Sequence, residues 1–236
     1  MALNVEHTAF NEKSSGGGVV SLAMAMTTAT DEVIVAFGGG RSDGLSATWN
    51  GTAITPAEQA FTSGDAQYTG CWVEESPAIG SYDLDVDSSN SSWYAAAGYI
   101  ISGADTTTPV RDSDIGSYAR FHANTTVTHT AITTQTTDVV IAFASCRSDS
   151  GETLSTSGFT SDNAYAGYSA RYHADIGQPT AGASTTQASF TLSGSANSST
   201  GVVAVSIQEA PVGGGATPKG PFGHPLFGPL AGPIAA

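Results

Sequence analysis

An internal repeat limits how this 236-residue chain can fold. Residues 27–44 read TTATDEVIVAFGGGRSDG, and residues 133–150, 106 positions later, read TTQTTDVVIAFASCRSDS. Weaker echoes follow: residues 68–70 resemble 165–167 at an offset of 97, and residues 92–100 resemble 199–207 at an offset of 107. These offsets indicate a repeat unit of about 105 residues. Two copies of such a unit are too few, and each is too long, for a solenoid. The repeat predicts two tandem β-sandwiches or one larger sandwich with pseudo-twofold symmetry.

Both copies have the sequence pattern of β-strands. Residues 33–37 and 139–143 are apolar, β-branched runs typical of central strands that are buried on both faces. Asn50-Gly51 between extended segments predicts a tight hairpin, and residues 82–87 alternate between apolar and acidic positions. A single helical turn is predicted at residues 56–60. The predicted fold is all-β, an antiparallel sandwich of the jelly-roll or immunoglobulin type.

The predicted organisation is a first β-sandwich repeat over residues 1–107, a second over 108–210, and an extended arm over 211–236. The arm holds six of the ten prolines, which disfavour helix and central strand. It also carries large apolar residues that a solvated linker does not need. These predicted partner-binding residues are Phe222, Leu226, Phe227, Leu230 and Ile234. We expect the arm to lie in a groove of a partner subunit, the alternative being a loose end that folds back on its own domain.

Composition excludes several classes of function. Acidic residues outnumber Lys and Arg by 21 to 7, so the chain lacks the basic surface that nucleic-acid binding requires. No stretch approaches the ~20 apolar residues of a transmembrane helix. The first residues contain Glu6 where a signal peptide would be basic and then apolar. We therefore expect no nucleic-acid or membrane partner and synthesis in a cytoplasm.

The sequence contains partial matches to catalytic motifs but no complete one. Residues 40–44 match the G-x-S-x-G nucleophile elbow around Ser42, but a strand and hairpin follow where that motif requires a helix. Glu74 and Glu75 are adjacent, so within a strand they would point in opposite directions and could not form a glycosidase pair by themselves. Cys71 and Cys146 are read as two buried thiols or, alternatively, a single disulfide. The sequence predicts no enzyme and no cofactor.

Two surface sites are candidates for binding. Asp83, Asp85 and Asp87 place three carboxylates along one strand face, ~6–7 Å apart. Such a row is either well solvated or bridged by a cation such as Ca²⁺. If exposed, four aromatic residues could stack on sugars: Trp49, Trp72, Trp93 and Tyr94.

Four segments carry a resemblance to a known module: SATWNGTAIT (46–55), YTGCW (68–72), SPAIGSY (76–82) and ISGADTTTP (101–109). Together they resemble a β-sandwich module of tailed-bacteriophage structural proteins and some bacterial surface proteins. The resemblance covers about residues 27–210 and involves structural motifs, so it transfers no active site. It implies a virion protein, such as a head decoration, tail or fibre component, that binds itself or other virion proteins.

Three functions follow in order of preference. The first is a structural virion protein that forms homo-oligomers or binds its neighbours through the arm. The second is a glycan- or receptor-binding module that resembles an adhesin. The third is a hydrolase built on Ser42.

Overall fold

The computed structural model describes residues 2–13, 18–27, 31–41, 44–62, 67–88, 94–121, 125–128, 130–147, 153–157, 160–166, 170–177, 185–186, 189–193 and 198–211. These residues form strands and connecting turns but no helix, and all strand pairs within them are antiparallel. The predicted all-β class is confirmed. Residues 212–236, with Phe222, Leu226, Phe227, Leu230 and Ile234, lie outside the described residues.

The first half contains two sheets. Its strands are β1 (Asn4–Lys13), β2 (Gly18–Met26), β3 (Glu32–Arg41), β4 (Leu45–Trp49), β5 (Thr52–Ala53), β6 (Pro56–Thr62), β7 (Gln67–Glu74), β8 (Gly80–Ser88) and β9 (Tyr94–Ser102). Inner sheet 1 has the order β1-β9-β3-β7-β6, and outer sheet 1 has the order β2-β8-β4-β5.

The second half has three sheets among the described residues. Its strands are β10 (Val110–Phe121), β11 (Thr125–Thr128), β12 (Ile132–Thr133), β13 (Val139–Arg147), β14 (Thr153–Ser157), β15 (Thr160–Ala166), β16 (Ala170–Gly177), β17 (Thr185–Thr186), β18 (Ser189–Ser193) and β19 (Ser198–Ile207). Inner sheet 2 has the order β10-β19-β13-β16-β15, and small sheet 2 has the order β11-β18-β14. β12 pairs with β17.

Strand order and register repeat between the halves. In inner sheet 1, the last strand of the half, β9, lies between β1 and β3. In inner sheet 2, the last strand, β19, lies in the same way between β10 and β13. Phe37 pairs with Ala97, and Phe143 pairs with Val203, so both members of the pair shift by 106. The offset of 107 proposed for the closing strands is therefore wrong by one residue.

The predicted match between residues 68–70 and 165–167 is also wrong. Cys71 of β7 pairs with Phe37, and Ala174 of β16 pairs with Phe143, so β7 corresponds to β16. Tyr165 lies on β15, which holds the position of β6. Short Tyr, Gly and Ala matches recur by chance in this chain, whereas hydrogen-bond register fixes the equivalence.

Two local predictions have opposite outcomes. Asn50 and Gly51 adopt φ values of 49° and 73°, and Trp49 pairs with Thr52 across them, as a tight hairpin turn requires. The helical turn expected at residues 56–60 is instead the start of β6, which pairs with β7. Ala, Glu and Gln favour helix, but only by a few tenths of a kcal/mol per residue, roughly, and pairing with β7 along the sheet edge outweighs this preference.

The two inner sheets pack face to face and share one core. Alternation along β3 sends Val33, Val35 and Phe37 into this shared core and Ile34 and Ala36 into a second core under outer sheet 1. The second half contributes these residues to the shared core: Val139, Ile141, Phe143, Val203, Val205 and Ile207. Outer sheet 1, inner sheet 1 and inner sheet 2 thus form one stack, with inner sheet 1 in the middle.

Equivalent residues meet at the centre of the stack. The rings of Phe37 and Phe143 are stacked, with centroids 5.7 Å apart. Gly39 faces Ser145, again 106 positions later. Contact between a residue and the equivalent residue of the other copy indicates an interface around a twofold axis. The halves therefore pack with local pseudo-twofold symmetry.

A partly buried ion pair links two segments of the second half. Arg111 donates to both carboxylate oxygens of Asp138 at 2.6 and 3.0 Å. Gln135 N and Ser206 Oγ also donate to Asp138, so the buried carboxylate is well hydrogen-bonded. The predicted boundary after residue 107 falls between β9 and β10, and the division into two β-sandwich repeats stays a prediction.

Candidate functional site

The acidic row lies on the outer face of outer sheet 1. Asp83 and Asp87 are exposed and Asp85 is half-buried, while Leu84 and Val86 between them face the core. Asp85 lies opposite Ser21, whose hydroxyl donates to it at 2.6 Å. In the part of the chain that the structure describes, no group of three or more His, Cys, Asp or Glu side chains is placed to hold a metal ion. Calcium binding by Asp83, Asp85 and Asp87 stays a prediction.

The aromatic residues proposed for sugar stacking are core residues. Trp49, Trp72 and Tyr94 are at most 2% exposed. Trp49 donates its indole N–H to the carbonyl of Ala78 at 2.9 Å, which satisfies the buried nitrogen. The expectation that these three rings stack on sugars is therefore wrong, because they are buried in the core between two sheets. Trp93 lies outside the described residues.

Tyr94 connects the core to the acidic face. Its hydroxyl donates to the carbonyl of Gly18, at the start of β2. Burial, followed by the negative charges of Asp87 and Asp85, raises the pKa of Tyr94 to about 12. The phenol is therefore a neutral hydrogen-bond donor at physiological pH.

A groove crosses the ends of the stacked sheets. Three adjoining cavities of about 310, 180 and 130 Å³ form it. Outer sheet 1 contributes Trp49 and Thr52, inner sheet 1 contributes Val73 and Glu74, and inner sheet 2 contributes Val110 and Ser113. The remaining lining residues are Thr55, Pro56, Ala57, Glu75, Ser76 and Ala78. We call this feature the seam groove.

The seam groove is acidic. Glu74 and Glu75 both line it, because β7 ends at Glu74 and Glu75 no longer follows strand alternation. Neither carboxylate has a hydrogen bond or ion pair with another described residue. At the far end, Ser113 donates to Glu58 at 2.8 Å, joining β10 to β6 across the two halves. The two glutamates expected to point apart thus share one groove.

Other candidate groups do not form a reactive site in the described structure. Cys71 is a free, buried thiol rather than half of a disulfide. Burial, with a smaller contribution from the charge of Glu58, raises the pKa of Cys71, so the thiol stays protonated and weakly nucleophilic at neutral pH. Ser42 and Asp43 lie outside the described residues.

The sequence pointed to Glu74 and Glu75 but gave no sign of the groove. Residues that line it belong to three sheets and lie between positions 49 and 113, so no local sequence pattern indicates it.

Within the described residues there is no apolar helix of membrane-spanning length. No protein-family model matches the chain, and no curated protein matches it either.

Proposed function

We propose that the chain is a non-enzymatic structural protein of a virion, a head decoration, tail or fibre component that assembles through its C-terminal arm and sandwich surfaces. The proposal rests on the distribution of large apolar side chains between the body and the arm. Among the side chains whose burial the structure describes, the large hydrophobic ones that remain exposed are Val19 and Ile79, at 45% and 51%. Stable interfaces need a contiguous apolar centre, and two isolated side chains do not supply one.

The sequence of the arm, in contrast, is rich in large apolar side chains. Residues 212–236 contain five large apolar residues and no Asp or Glu. Apolar anchors spaced along an extended chain give affinity when they enter a neighbour's surface, and repetition over a lattice adds avidity. A β-sandwich body with an apolar arm suits a repeated structural subunit better than a catalyst.

The test measures the mass in solution of three proteins by light scattering. They are the full chain, a chain ending at Ala210, and a full-length variant with Phe222, Leu226, Phe227, Leu230 and Ile234 replaced by Ser. We expect defined oligomers from the full chain and monomers from both variants, because the serine variant keeps the length of the arm but not its anchors. Circular dichroism and melting of the two variants verify that their sandwiches remain folded.

Two results would contradict the proposal. Oligomers that persist without the arm would place assembly elsewhere. A full chain that stays monomeric at all concentrations, alone and with purified host capsids, would remove the assembly role.

A further inference from the structure

The chain leaves the described body beside the seam groove. After β19, Gln208 N donates to the carbonyl of Pro109 at 2.8 Å, and Ala210 N donates to the carbonyl of Gly103 at 2.8 Å. These bonds hold residues 208–210 against the segment between β9 and β10. Val110, which lines the groove, pairs with Ile207 immediately before this exit. The arm therefore begins next to one end of the groove.

Strand register places the exit and the groove glutamates at the same end of inner sheet 1. Ser102, next to Gly103, pairs with Glu32 on β3, and Glu74 pairs with Ile34 two residues further along β3. Two strand spacings separate β9 from β7, which is about 10 Å. Residues 212–236 span far more than that when extended at about 3.1 Å per residue. A tether this close gives the arm a high effective concentration at its own groove.

Charge also matches the arm to the groove. The groove contains Glu74 and Glu75, for which no described side chain provides a partner. The arm contains Lys219 and His224 and no acidic residue, whereas the chain as a whole has a net charge of −14. An arm without acidic residues is not repelled by the groove, and Lys219 can offset one of the two carboxylate charges.

Size and shape fit an extended segment of about seven residues. The groove crosses three sheets, and sheets stack about 10 Å apart, so its length is about 20 Å. Polyproline-like chain covers that distance in six or seven residues. Pro221 and Pro225 restrict φ at two of the seven positions 219–225, which favours extended chain and reduces the entropy lost on docking.

We propose that the seam groove is the docking site of the chain's own C-terminal arm in the free subunit. Residues 219–225 lie in it, with the Lys219 ammonium against Glu74 and Glu75. This inference goes beyond the assembly role and does not depend on it. An arm that lies in its own groove before assembly also keeps Phe222 and Phe227 close to the body of the free subunit.

The test uses photo-crosslinking of the full-length chain. The photoreactive residue p-benzoylphenylalanine replaces Phe222, and the dilute protein is irradiated and mapped by mass spectrometry. We expect adducts at residues 55–57 and 74–76. Mixing ¹⁵N-labelled with unlabelled chains identifies the source, and we expect each adduct to join residues of the same chain.

Charge reversal adds a second measurement. The variant E74K/E75K should lower the groove adduct yield by roughly fivefold, the size of effect that a single exposed ion pair can give. The matched control D83K/D87K makes the same charge change on outer sheet 1 and should leave the yield unchanged. Melting curves show whether each variant remains folded.

Each other result overturns the inference. Adducts outside the groove, no adducts, or a yield that E74K/E75K does not lower would each remove the docking site. Groove adducts that join two chains would overturn docking within one chain while supporting assembly through the arm. Adducts within one chain, from a protein that never oligomerises, would support the docking site and contradict the assembly role.

Discussion

Gly39 and Gly201 determine how closely the two halves approach each other. A Cβ atom on Gly39 would lie 2.0 Å from Ser145 Oγ, and one on Gly201 would lie 1.9 Å from Thr69 Oγ1. The hydroxyls of Thr69 and Ser145 are 3.1 Å apart and hydrogen-bonded in the buried interface. Each half therefore provides a glycine that receives a hydroxyl side chain of the other half.

We expect Gly39→Ala to destabilise the protein by about 1–3 kcal/mol, the usual cost of overpacking a dense core. For a chain of this size that lowers Tm by roughly 3–10 °C. Adding Ser145→Gly should recover part of the loss, because it removes the atoms that the new methyl group meets. Thermal denaturation measures both effects.

Gly44→Ala is the matched control for Gly39→Ala, because within the described structure no atom of a residue beyond its chain neighbours lies within 4 Å of the added Cβ. Its Tm should stay close to that of the parent protein. Equal losses from the two alanine variants would contradict the close-approach explanation.

At this scale the sequence predicted orientation well and burial poorly. The alternation of Asp83, Leu84, Asp85 and Val86 correctly assigned the outer and inner faces of one strand. The burial of Trp72 was not predictable in the same way, because it depends on which sheet covers β7. An aromatic residue in a sequence does not reveal whether another layer lies above it.

At the scale of elements, the Tyr94 hydroxyl joins the start of β9 to the start of β2. Its pKa is about 12 in the folded protein against 10.0 for a free tyrosine. The folded state therefore holds this proton more tightly than the unfolded state does. The resulting contribution to stability is fully present below pH 10 and decreases as pH rises from 10 towards 12.

We expect the free energy of unfolding to fall between pH 10 and 12, and to fall less steeply in Tyr94→Phe. The variant should also be less stable at neutral pH, because Gly18 loses its hydrogen-bond donor. Urea denaturation across this pH range measures both effects. Parallel curves for the parent protein and the variant would exclude Tyr94 as the group responsible.

Elements with strong local signals were predicted, and one with a weak signal was not. The hairpin at Asn50-Gly51 follows from two residues that tolerate positive φ. The segment beginning at Pro56 has no such signal, and its strand conformation comes from pairing with β7. Strand identity at a sheet edge is decided by the neighbouring strand.

At the scale of the whole molecule, the shared core makes the two halves mutually dependent. The inner sheets bury Phe37, Tyr99, Ile141, Phe143 and Val203 against each other, all of them completely inaccessible to solvent. Separating the halves would expose this surface to water at about 25 cal/mol per Å². We therefore expect the described body to unfold as one unit.

Phe37→Ala should destabilise the protein by about 3–5 kcal/mol and shift a single calorimetric transition. Leu84→Ala in the second core should shift the same transition, by about 2–5 kcal/mol. Val19→Ala, at a side chain that is 45% exposed, is the control and should change stability little. Two separate transitions, with one unaffected by Phe37→Ala, would show that the halves unfold independently.

The sequence by itself determined that this is an all-β protein with a repeated unit of about 106 residues and a proline-rich arm, because alternation, turn residues and self-similarity are local or periodic signals. The tertiary structure decided that the inner sheets stack around Phe37 and Phe143, that Trp49 and Trp72 are buried, and that Glu74 and Glu75 share a groove. These features depend on contacts between residues far apart in sequence. Such contacts produce no periodic pattern in either segment, so only the tertiary structure reveals them.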